Sequence, residues 1–562
     1  MRKTSLACIL IVLSACAFAQ APEACVVLLK DKDTVTYSVE RPSEFLSPRA
    51  LEKRQRFHIP VTETDLPVCR VYVDSLSRLH PACRVLAKSR WFNYVVLGTR
   101  DSNVLDDSLL ECIRAISWVK GVYALHQLPD SVQAAWFEEA SRETAVSGNC
   151  RPEQNVYDPA EPVEYWGASA PQIACLNGLF LHRMQYTGKD MLVTVIDGGF
   201  YGVDSSERYA SMKAAGRLKG HASFDDDTTA FYAVTQSHGQ NVLSIMGVND
   251  PYTFVGSAPD ADYVLLRSET SRYEDRLEEY YFAAAAEYAD SIGSDVVNAS
   301  LGYTVFGREE QKHTWYDLDG RHSVASIAAE RLTHKGCIVN VAAGNEGAKT
   351  WLFFGIPSDA PSVLCIAAMD VDSAVASFSS RGNEYWMKPD IISVGRGTAY
   401  CSSGGEVSHG NGTSYASPMN AGLTACLWQA FPEKTAIEVM QAIRRSAHLY
   451  GGKFSAKMGY GIPDYEKAYH ILKGDVGMKE SERAHFRCYP NPVTDVLHVE
   501  LAENGKAFTS ALLYVYDEAG RLLGRQAFDG AAVAVDMAAY PQGTYFLLIR
   551  TPEGEEVLRV AK

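Results

Sequence analysis

Short apolar runs alternate with longer amphipathic segments between about residues 165 and 475. The apolar runs predict strands that are buried on both faces, because they lack the polar alternation of a half-exposed strand. They are MLVTVID, ADYVLLRS, DVVNASLG, CIVNVAAGNEG and PSVLCIAAMD. The intervening segments, SHGQNVLSIMGV, YEDRLEEYYFAAAAEYADSIG and SVASIAAERLTHKG, predict helices. The alternation predicts a doubly wound α/β domain with a parallel sheet, whose functional residues collect at the carboxyl ends of the strands.

The regions on either side of this domain have different patterns of apolar and polar residues. Residues 20–126 combine strand-like runs with a short helix after Asp106, which predicts a small α+β unit. Residues 127–160 are polar and rich in proline, which predicts an exposed linker. Short alternating strands divided by turn signals follow near the end of the chain and predict a small β-sandwich. The predicted boundaries are 20–150 for the first unit with its linker, 155–475 for the central domain and 485–562 for the sandwich.

Composition excludes some classes of function. The chain has 562 residues, 47% hydrophobic and 22% charged, which suits several globular domains. The formal net charge of -15 argues against nucleic acid as a partner. Thirteen cysteines are scattered without a Cys-x-x-Cys pair, so no zinc site or other metal site is assigned. Cys337 and Cys365 lie inside apolar runs, and we expect both to be buried.

Residues 1–19 predict a signal peptide. Arg2 and Lys3 form a basic start, an apolar run follows, and Ala17-Phe18-Ala19 offers a small-x-small cleavage site. The apolar run is too short to span a bilayer permanently. The string LSAC at residues 13–16 offers an alternative, because it resembles the lipid-attachment box of bacterial lipoproteins. Cleavage after residue 19 is favoured, and we expect the protein to leave the cytosol.

Ser414 stands among small residues in HGNGTSYASPM, directly ahead of an amphipathic helical segment. A serine here can simply cap the helix, but its small neighbours expose the oxygen and the helix N-terminus offers backbone donors to an anion. Asp197 ends MLVTVID, His238 opens SHGQNV and Asn345 lies in VAAGNEG. Each has an ordinary explanation alone, as a turn residue or a cap. All four stand where a parallel sheet would bring them together.

These four residues are the set that nucleophilic acyl transfer needs. His238 would take the proton of Ser414, because the pKa of imidazole lies in the right range. Asp197 would hold the imidazole and stabilise the cation that forms. Asn345 and the backbone amide of Ser414 would donate hydrogen bonds to the oxyanion. The sequence therefore predicts an Asp197–His238–Ser414 triad with Asn345 as oxyanion donor.

The strings VIDGGF, SHGQNV, NASLG, AAGNEG and GNGTSYASP occur in the order found in the subtilisin-like serine peptidases (subtilases), which the chain resembles over about residues 165–470. The resemblance implies a secreted serine endopeptidase that acts on protein or peptide substrates and requires no cofactor. It implies that the backbone of Ser300, Leu301 and Gly302 pairs with an extended substrate. It also implies that AAGN forms a pocket wall and Gly355 the pocket floor, which would admit medium or large apolar residues.

The resemblance has departures. Gln240 and Asn241 replace the usual residues of the histidine motif, and Tyr415 stands where methionine is commonest. These side chains are expected to reshape the cleft without removing a catalytic atom.

Structural calcium is a further expectation from the family. The loop GVNDPYTFV corresponds to a frequent calcium loop, but its single carboxylate, Asp250, disfavours a site there. Residues 225–227, and Asp317 with Asp319, carry enough carboxylates to hold calcium. Solvated loop carboxylates are the favoured interpretation.

Both flanking units also resemble known domains. FLSPRALEKRQRFHIPV is similar to the start of subtilase propeptides, which implies an inactive pre-pro-protein inhibited by its own propeptide, with the tail of that domain in the cleft. The processing cut is expected within residues 127–165. CYPNPVTDVLHVEL, YVYDEAGRLL and YPQGTYFLLI resemble the C-terminal sorting domains of type IX secretion cargo. The type IX machinery would carry the protein through the periplasm to the outer cell surface or the medium. A carbohydrate-binding or adhesive sandwich is the alternative.

Two other functions stay open for the central domain. One is a surface binding protein that has lost catalysis, against which the presence of all four residues argues. The other is a peptide ligase or acyl-transferase on the same fold, which the sequence does not separate from a hydrolase.

Overall fold

The computed structural model describes residues 21–33, 35–101, 104–141, 145–146, 162–383, 386–452, 454–474, 486–501, 510–517, 522–529, 531–551 and 554–562. The predicted signal peptide and residues 142–144 and 147–160 of the predicted linker lie outside the described residues. Within these ranges, every helix is too short or too polar to cross a membrane.

The amino-terminal unit is an antiparallel sheet with helices packed on it. Its elements are β1 (Glu23–Leu29), α1 (Pro48–Arg56), α2 (Arg70–Ser77), β2 (Arg84–Ser89), β3 (Tyr94–Thr99), α3 (Asp107–Arg114), β4 (Val119–Ala124) and α4 (Asp130–Ala140). The four strands lie in the order β2–β3–β1–β4. Helix α3 begins where its sequence predicts, because the Asp106 side chain accepts a hydrogen bond of 2.9 Å from the Leu109 amide.

The central domain is built on a parallel sheet of seven strands. Its elements are α5 (Ala170–Ala174), α6 (Leu179–Arg183), β5 (Leu192–Asp197), α7 (Ala210–Ala214), β6 (Leu218–Ser223), α8 (His238–Gly247), β7 (Asn249–Asp250), β8 (Phe254–Val255), β9 (Asp262–Arg267), α9 (Leu277–Ile292), β10 (Val296–Ala299), α10 (Val324–His334), β11 (Ile338–Ala342), β12 (Leu364–Met369), β13 (Ile391–Val394), β14 (Arg396–Cys401), β15 (Val407–Asn411), α11 (Thr413–Gln429), α12 (Ala436–Ser446) and α13 (Tyr465–Lys473). The sheet order is β13–β12–β11–β10–β5–β9–β6. The predicted doubly wound parallel sheet is therefore confirmed.

Burial explains which strands the sequence pattern revealed. Every residue of β5, β10, β11 and β12 is buried, so each appears as a continuous apolar run. The pattern missed β6, an edge strand without a fully buried residue, and it also missed β13, although the four residues of β13 are all buried like those of β10. Cys337 and Cys365 are fully buried, as predicted.

Residues 130–140 are not the exposed linker that the sequence predicted. They form α4, which packs against α10 of the central domain. Trp136 and Phe137 are only 8% and 2% exposed. The buried positions 133, 136, 137 and 140 have helical spacing, which the neighbouring prolines and acidic residues obscured. The processing cut within residues 127–165 stays a prediction.

The carboxyl-terminal unit has two antiparallel sheets that share a core. Its strands are β16 (Phe486–Tyr489), β17 (Val496–Leu501), β18 (Ala511–Asp517), β19 (Leu522–Phe528), β20 (Ala532–Asp536), β21 (Thr544–Thr551) and β22 (Gly554–Ala561). One sheet has the order β16–β17–β20 and the other β19–β18–β21–β22. Val499 and Val535 from the first sheet meet Leu513 and Leu547 from the second in one buried cluster. This arrangement is the predicted small sandwich.

A buried set of ion pairs joins the amino-terminal unit to the central domain. Arg54 of α1 donates hydrogen bonds to Asp65 of its own unit at 3.1 Å and to Asp290 of α9 at 2.7 Å. Lys335, which follows α10, donates to Asp65 at 3.1 Å. Burial alone would raise the pKa of Asp65, but Lys335 and Arg54 outweigh it and hold that pKa below its usual range. The interface therefore depends on pairing charges that have left water.

Lys53 makes a second contact across this interface. Its ammonium group donates to the Ser294 carbonyl at 2.5 Å and lies 3.1 Å from Cys337 Sγ. The basic face of α1 is thus set against the end of α9 and the chain that follows it.

We predict that Arg54→Met destabilises the full-length protein by about 3–5 kcal/mol, because it leaves buried carboxylates with one cation fewer. The measurement is the urea midpoint of the full-length protein. Arg41→Met is the control, since the Arg41–Glu44 pair is exposed and such pairs contribute about 0–1 kcal/mol. Equal midpoints for the two variants would contradict the prediction.

Candidate active site

Asp197 is the last residue of β5 and is almost fully buried. The neighbouring strand β9 pairs with β5 in register, so that Asp197 lies opposite Arg267. The Ser268 amide then donates to the Asp197 carbonyl at 3.1 Å, and the Gly198 amide donates to the Asp197 side chain at 2.8 Å. The carboxylate is therefore fixed at the carboxyl edge of the sheet, where the strand pattern predicted it.

His238 is the first residue of α8 and meets Asp197 directly. Its Nδ1 donates to Asp197 Oδ1 at 2.8 Å and is 3.0 Å from Oδ2. A methyl group at the next residue, Gly239, would lie 2.8 Å from Asp197 Cβ and from the Gly199 carbonyl oxygen. Only glycine lets the start of α8 approach β5 this closely.

The charge on Asp197 decides the protonation of His238. Burial lowers the pKa of the imidazole, but the Asp197 charge and hydrogen bond raise it more, and Glu269 adds to the rise. The net result is a raised pKa. Burial, Asp197 and Glu274 in turn raise the pKa of Glu269 to about 8. Glu269, which the sequence analysis did not identify, therefore belongs to the electrostatic surroundings of the pair.

Ser414 lies in the first turn of α11, after the cap residue Gly412. A methyl group on Gly412 would lie 2.7 Å from Ser414 Oγ and 3.8 Å from Asn345 Nδ2. The Ser414 hydroxyl and the Asn345 side-chain amide therefore lie beside the backbone of Gly412, which carries no side chain. The small residues in front of Ser414 keep this space open.

Asn345 is oriented by the same helix start. Its Oδ1 accepts hydrogen bonds from the Thr413 amide at 2.9 Å and from Thr413 Oγ1 at 3.2 Å. The Gly344 amide donates to Thr413 Oγ1 at 3.0 Å, which closes a small ring of bonds. Because Oδ1 is occupied, Nδ2 is the group that Asn345 can offer to a ligand.

Pro418 determines how the Ser414 backbone is held. A proline four residues later has no N–H to give to the Ser414 carbonyl. Ser300 Oγ supplies the missing donor at 2.9 Å. Asn298 Nδ2 donates to Ser300 Oγ at 2.9 Å, and Asn298 Oδ1 accepts from Ser417 Oγ at 2.7 Å. These buried bonds tie α11 to the end of β10.

The sequence analysis did not identify Asn298 or Ser417 as functional, and it assigned Ser300 a backbone role only. The spacing of Ser414 and Pro418 was the available signal, because it predicts a carbonyl without its helical donor.

The structure brings Asp197 and His238 into direct contact, and Ser414 and Asn345 around Gly412. It places no hydrogen bond between the Ser414 hydroxyl and His238, both of which lie in the described part of the chain. Such bonds are often long in unliganded enzymes and tighten only when substrate is bound.

The segments expected to bind substrate are joined by hydrogen bonds. The Tyr303 amide donates to the Ile356 carbonyl at 2.7 Å, and the Ile356 amide to the Tyr303 carbonyl at 3.2 Å. The Gly355 amide donates to the Ala343 carbonyl at 3.0 Å. Leu301 is buried, whereas the backbone of Gly302 is exposed. A methyl group on Gly355 would lie 3.8 Å from Gly302 Cα, so the two glycines face each other across a narrow space.

The residues that differ from the family strings lie in different parts of the structure. Gln240 does not reshape the cleft, because it is fully buried and donates to Tyr209 Oη at 2.8 Å and to the Cys401 carbonyl at 2.9 Å. The sequence expectation for Gln240 is therefore wrong. Tyr415 does lie beside the site, with its ring centroid 6.2 Å from that of His238.

The carboxylates of the loops considered for calcium pair with other side chains of the protein. Asp225 accepts a hydrogen bond of 2.9 Å from Arg267, and Asp226 accepts from Arg100 at 2.8 Å. Asp225 is buried and paired rather than solvated, which corrects the sequence interpretation. Asp250 is paired with Arg208. Throughout the described ranges, no group of three or more His, Cys, Asp or Glu side chains is arranged to hold a metal ion.

Asp317 and Asp319 also have local partners. Asp317 accepts from the Thr314 amide at 2.7 Å, and Asp319 lies 3.0 Å from His322 Nδ1.

Family models match three parts of the chain. Residues 188–461 match the subtilase family. Residues 24–135 match the peptidase S8 propeptide domain of Bacteroidota, which includes the first half of α4. Residues 487–561 match the secretion system C-terminal sorting domain. These matches confirm the resemblances drawn from the sequence for all three units.

Individual relatives agree with these matches. The membrane-bound transcription factor site-1 protease of Homo sapiens is 27% identical over 303 residues, which are 52% of this chain and 26% of that protein. The chain therefore spans only about a quarter of the length of that relative. Subtilisin DY of Bacillus licheniformis is 26% identical over 292 residues, which are 50% of this chain and 92% of that protein.

A solved structure supports the fold. The crystal structure of fervidolysin from Fervidobacterium pennivorans aligns with a TM-score of 0.53 and 17% identity, over 94% of this chain and 70% of that chain. The sorting domain indicates secretion or attachment to the outer cell surface. The chain therefore carries a subtilase-family domain between a Bacteroidota peptidase S8 propeptide domain and a secretion system C-terminal sorting domain.

Proposed function

We propose that the protein is a serine endopeptidase, made as an inactive pre-pro-protein, that hydrolyses peptide bonds in protein or peptide substrates. The observation that carries this proposal is the 2.8 Å bond between His238 Nδ1 and the buried Asp197 carboxylate, beside the helix start that presents Ser414. Secretion by the type IX machinery agrees with an enzyme that acts outside the cell.

In this scheme Ser414 Oγ attacks the scissile carbonyl while His238 Nε2 takes its proton. His238 then returns the proton to the leaving amine, and a water molecule repeats the sequence on the acyl-enzyme. Asp197 keeps Nδ1 protonated and stabilises the imidazolium. Asn345 Nδ2 and the Ser414 amide donate to the oxyanion. Every catalytic group in this scheme is a protein side chain or a backbone amide, so the scheme needs no cofactor.

The substrate would lie as an extended strand along Ser300, Leu301 and Gly302, because the backbone of Gly302 is exposed there. Gly355 would form the floor of the primary pocket, and the substrate residue proposed to enter it is medium or large and apolar. The amino-terminal unit would act as the inhibitor with its tail in the cleft, and its buried ion pairs with Asp290 of α9 and with Lys335 after α10 would anchor it to the central domain.

A ligase or acyl-transferase on this fold would use the same acyl-enzyme but transfer it to an amine. Incubating the mature enzyme with a peptide substrate and an added amine, followed by mass analysis of the products, distinguishes the two. Free carboxylate as the main product supports hydrolysis.

We predict that Ser414→Ala abolishes covalent turnover, whereas Asn345→Ala lowers kcat by about 10²- to 10³-fold, the usual cost of losing one oxyanion donor. KM should change little for Asn345→Ala, because the donor bonds the oxyanion more strongly than the ground-state carbonyl. Both variants are prepared with the propeptide supplied separately, and kinetics are measured on a peptide with an apolar residue at the cleavage site. An active Ser414→Ala enzyme would overturn the proposed function.

We predict that Ser300→Ala lowers kcat by at least about tenfold with little change in KM, because the Ser414 carbonyl loses its donor and the nucleophile shifts. Ser446→Ala is the matched control, since Ser446 is also buried and its Oγ donates to the Ile443 carbonyl at 2.7 Å. Both variants should lose about 1–3 kcal/mol of stability. Only Ser300→Ala should lose kcat, and a parallel loss in Ser446→Ala would refute the positioning role.

We predict that the pKa of the His238 imidazole lies above its ordinary value in the folded enzyme and is lower in Asp197→Asn. The Asp197 charge raises the imidazole pKa, whereas burial, which remains in the variant, lowers it. The measurement is an NMR titration of the imidazole in a Ser414→Ala background, which prevents self-digestion. Because neutral imidazole is the base, kcat/KM of the active enzyme should fall as pH drops through this value. A His238 pKa that Asp197→Asn leaves unchanged would be inconsistent with the scheme.

A further inference from the structure

Tyr415 follows the proposed nucleophile and lies beside the proposed base. Its ring centroid is 6.2 Å from that of His238, and the two ring planes are inclined by 34°. The side chain is nearly buried, with only 9% of its surface exposed. The ring therefore packs next to the imidazole.

The ring of Tyr415 is itself held in place by two other elements. Tyr400 of β14 stacks on it with centroids 5.3 Å apart and planes within 9°. Burial raises the pKa of the Tyr415 hydroxyl, and the nearby Asn241 side chain offsets part of that rise. Asn241 lies on α8 three residues after His238, and therefore on the same face of that helix.

Gly410 of β15 makes this stack sterically feasible. A methyl group there would lie 2.5 Å from Tyr415 Cε2 and 3.1 Å from Tyr400 Cε1. The β14–β15 hairpin pairs Gly410 with Thr398. The rings of Tyr400 and Tyr415 therefore pack against the Gly410 backbone, which carries no side chain. Helix α8, helix α11 and the hairpin thus converge on one aromatic ring.

The imidazole needs such support. His238 is bonded to Asp197 through Nδ1, and its side chain is 36% exposed, so these contacts alone leave the ring some rotational freedom. A rigid neighbour removes part of that freedom before substrate arrives. A shift of about 1 Å in a reacting group costs up to about 10² in rate.

We propose that Tyr415 is a positioning residue, whose ring, held by its stack on Tyr400, confines the His238 imidazole to the orientation that serves Ser414. This inference rests on the proposed peptidase function.

The test compares Tyr415→Ala, Tyr415→Phe and Tyr400→Leu with the parent enzyme. Three quantities are measured: kcat and KM on a peptide, the rate at which a small fluorophosphonate labels Ser414, and the thermal midpoint. The fluorophosphonate reports how well the serine is activated without any contribution from peptide contacts. Tyr252→Ala is the control, because Tyr252 is exposed and makes its ring contact with Tyr165.

We expect Tyr415→Ala to lower kcat and the labelling rate together by about 10- to 100-fold, with KM unchanged. Tyr415→Phe keeps the ring and should retain most of the rate. Tyr400→Leu should lower kcat and the labelling rate by a smaller factor, because Tyr400 acts on His238 only through the ring of Tyr415. Tyr252→Ala should match the parent enzyme.

Parent-like labelling of Tyr415→Ala would overturn the inference, as would a Tyr415→Phe enzyme as slow as Tyr415→Ala. If Tyr415→Ala does not fold, Tyr400→Leu decides, and parent-like labelling of that variant is the contradicting result. A parent enzyme that reacts no faster than Ser414→Ala would instead refute the proposed function.

Discussion

The hydrogen bond from Ser300 Oγ to the Ser414 carbonyl is the interaction on which the site depends. It exists because Pro418 has no N–H to give at that position of α11. A carbonyl left without a donor inside the protein would cost about 1–3 kcal/mol. Ser300 removes that cost and at the same time anchors the nucleophile helix to the end of β10. The helical hydrogen bond that Pro418 cannot make is thus replaced by one that links the sheet to Ser414.

The other half of the site follows from the parallel sheet. Strands β5 and β9 end together, so Asp197 and the segment after Arg267 share one edge, and α8 starts against them. Burial makes the Asp197 carboxylate effective, since a charge in a poorly solvated place acts strongly on the imidazole beside it. The same surroundings raise the pKa of Glu269, because burial and the nearby Asp197 and Glu274 charges disfavour its carboxylate form. Asp197 therefore remains the charge that dominates His238.

The amino-terminal unit is held by charges rather than by apolar contact alone. Arg54, Asp65, Asp290 and Lys335 are all buried at its interface. In such a network the loss of any one member leaves a buried charge unpaired, which is strongly destabilising. This requirement for complete pairing suits a contact that must be specific. Helix α4 extends this contact along α10, so the propeptide domain continues beyond the boundary that composition indicated.

The sequence by itself determined the order and type of the domains, because apolar runs, helical periodicity and turn residues are local properties. It also determined the chemistry of the candidate site, since the identities of Asp197, His238, Ser414 and Asn345 and their places at strand and helix ends are visible without coordinates. Only the tertiary structure decided which groups meet. The Ser300–Ser414 bond joins residues 114 positions apart, and the Tyr400–Tyr415 stack and the burial of α4 likewise depend on packing between elements. Local pattern carries no information about such contacts, because their energy arises when separate elements exclude water between them.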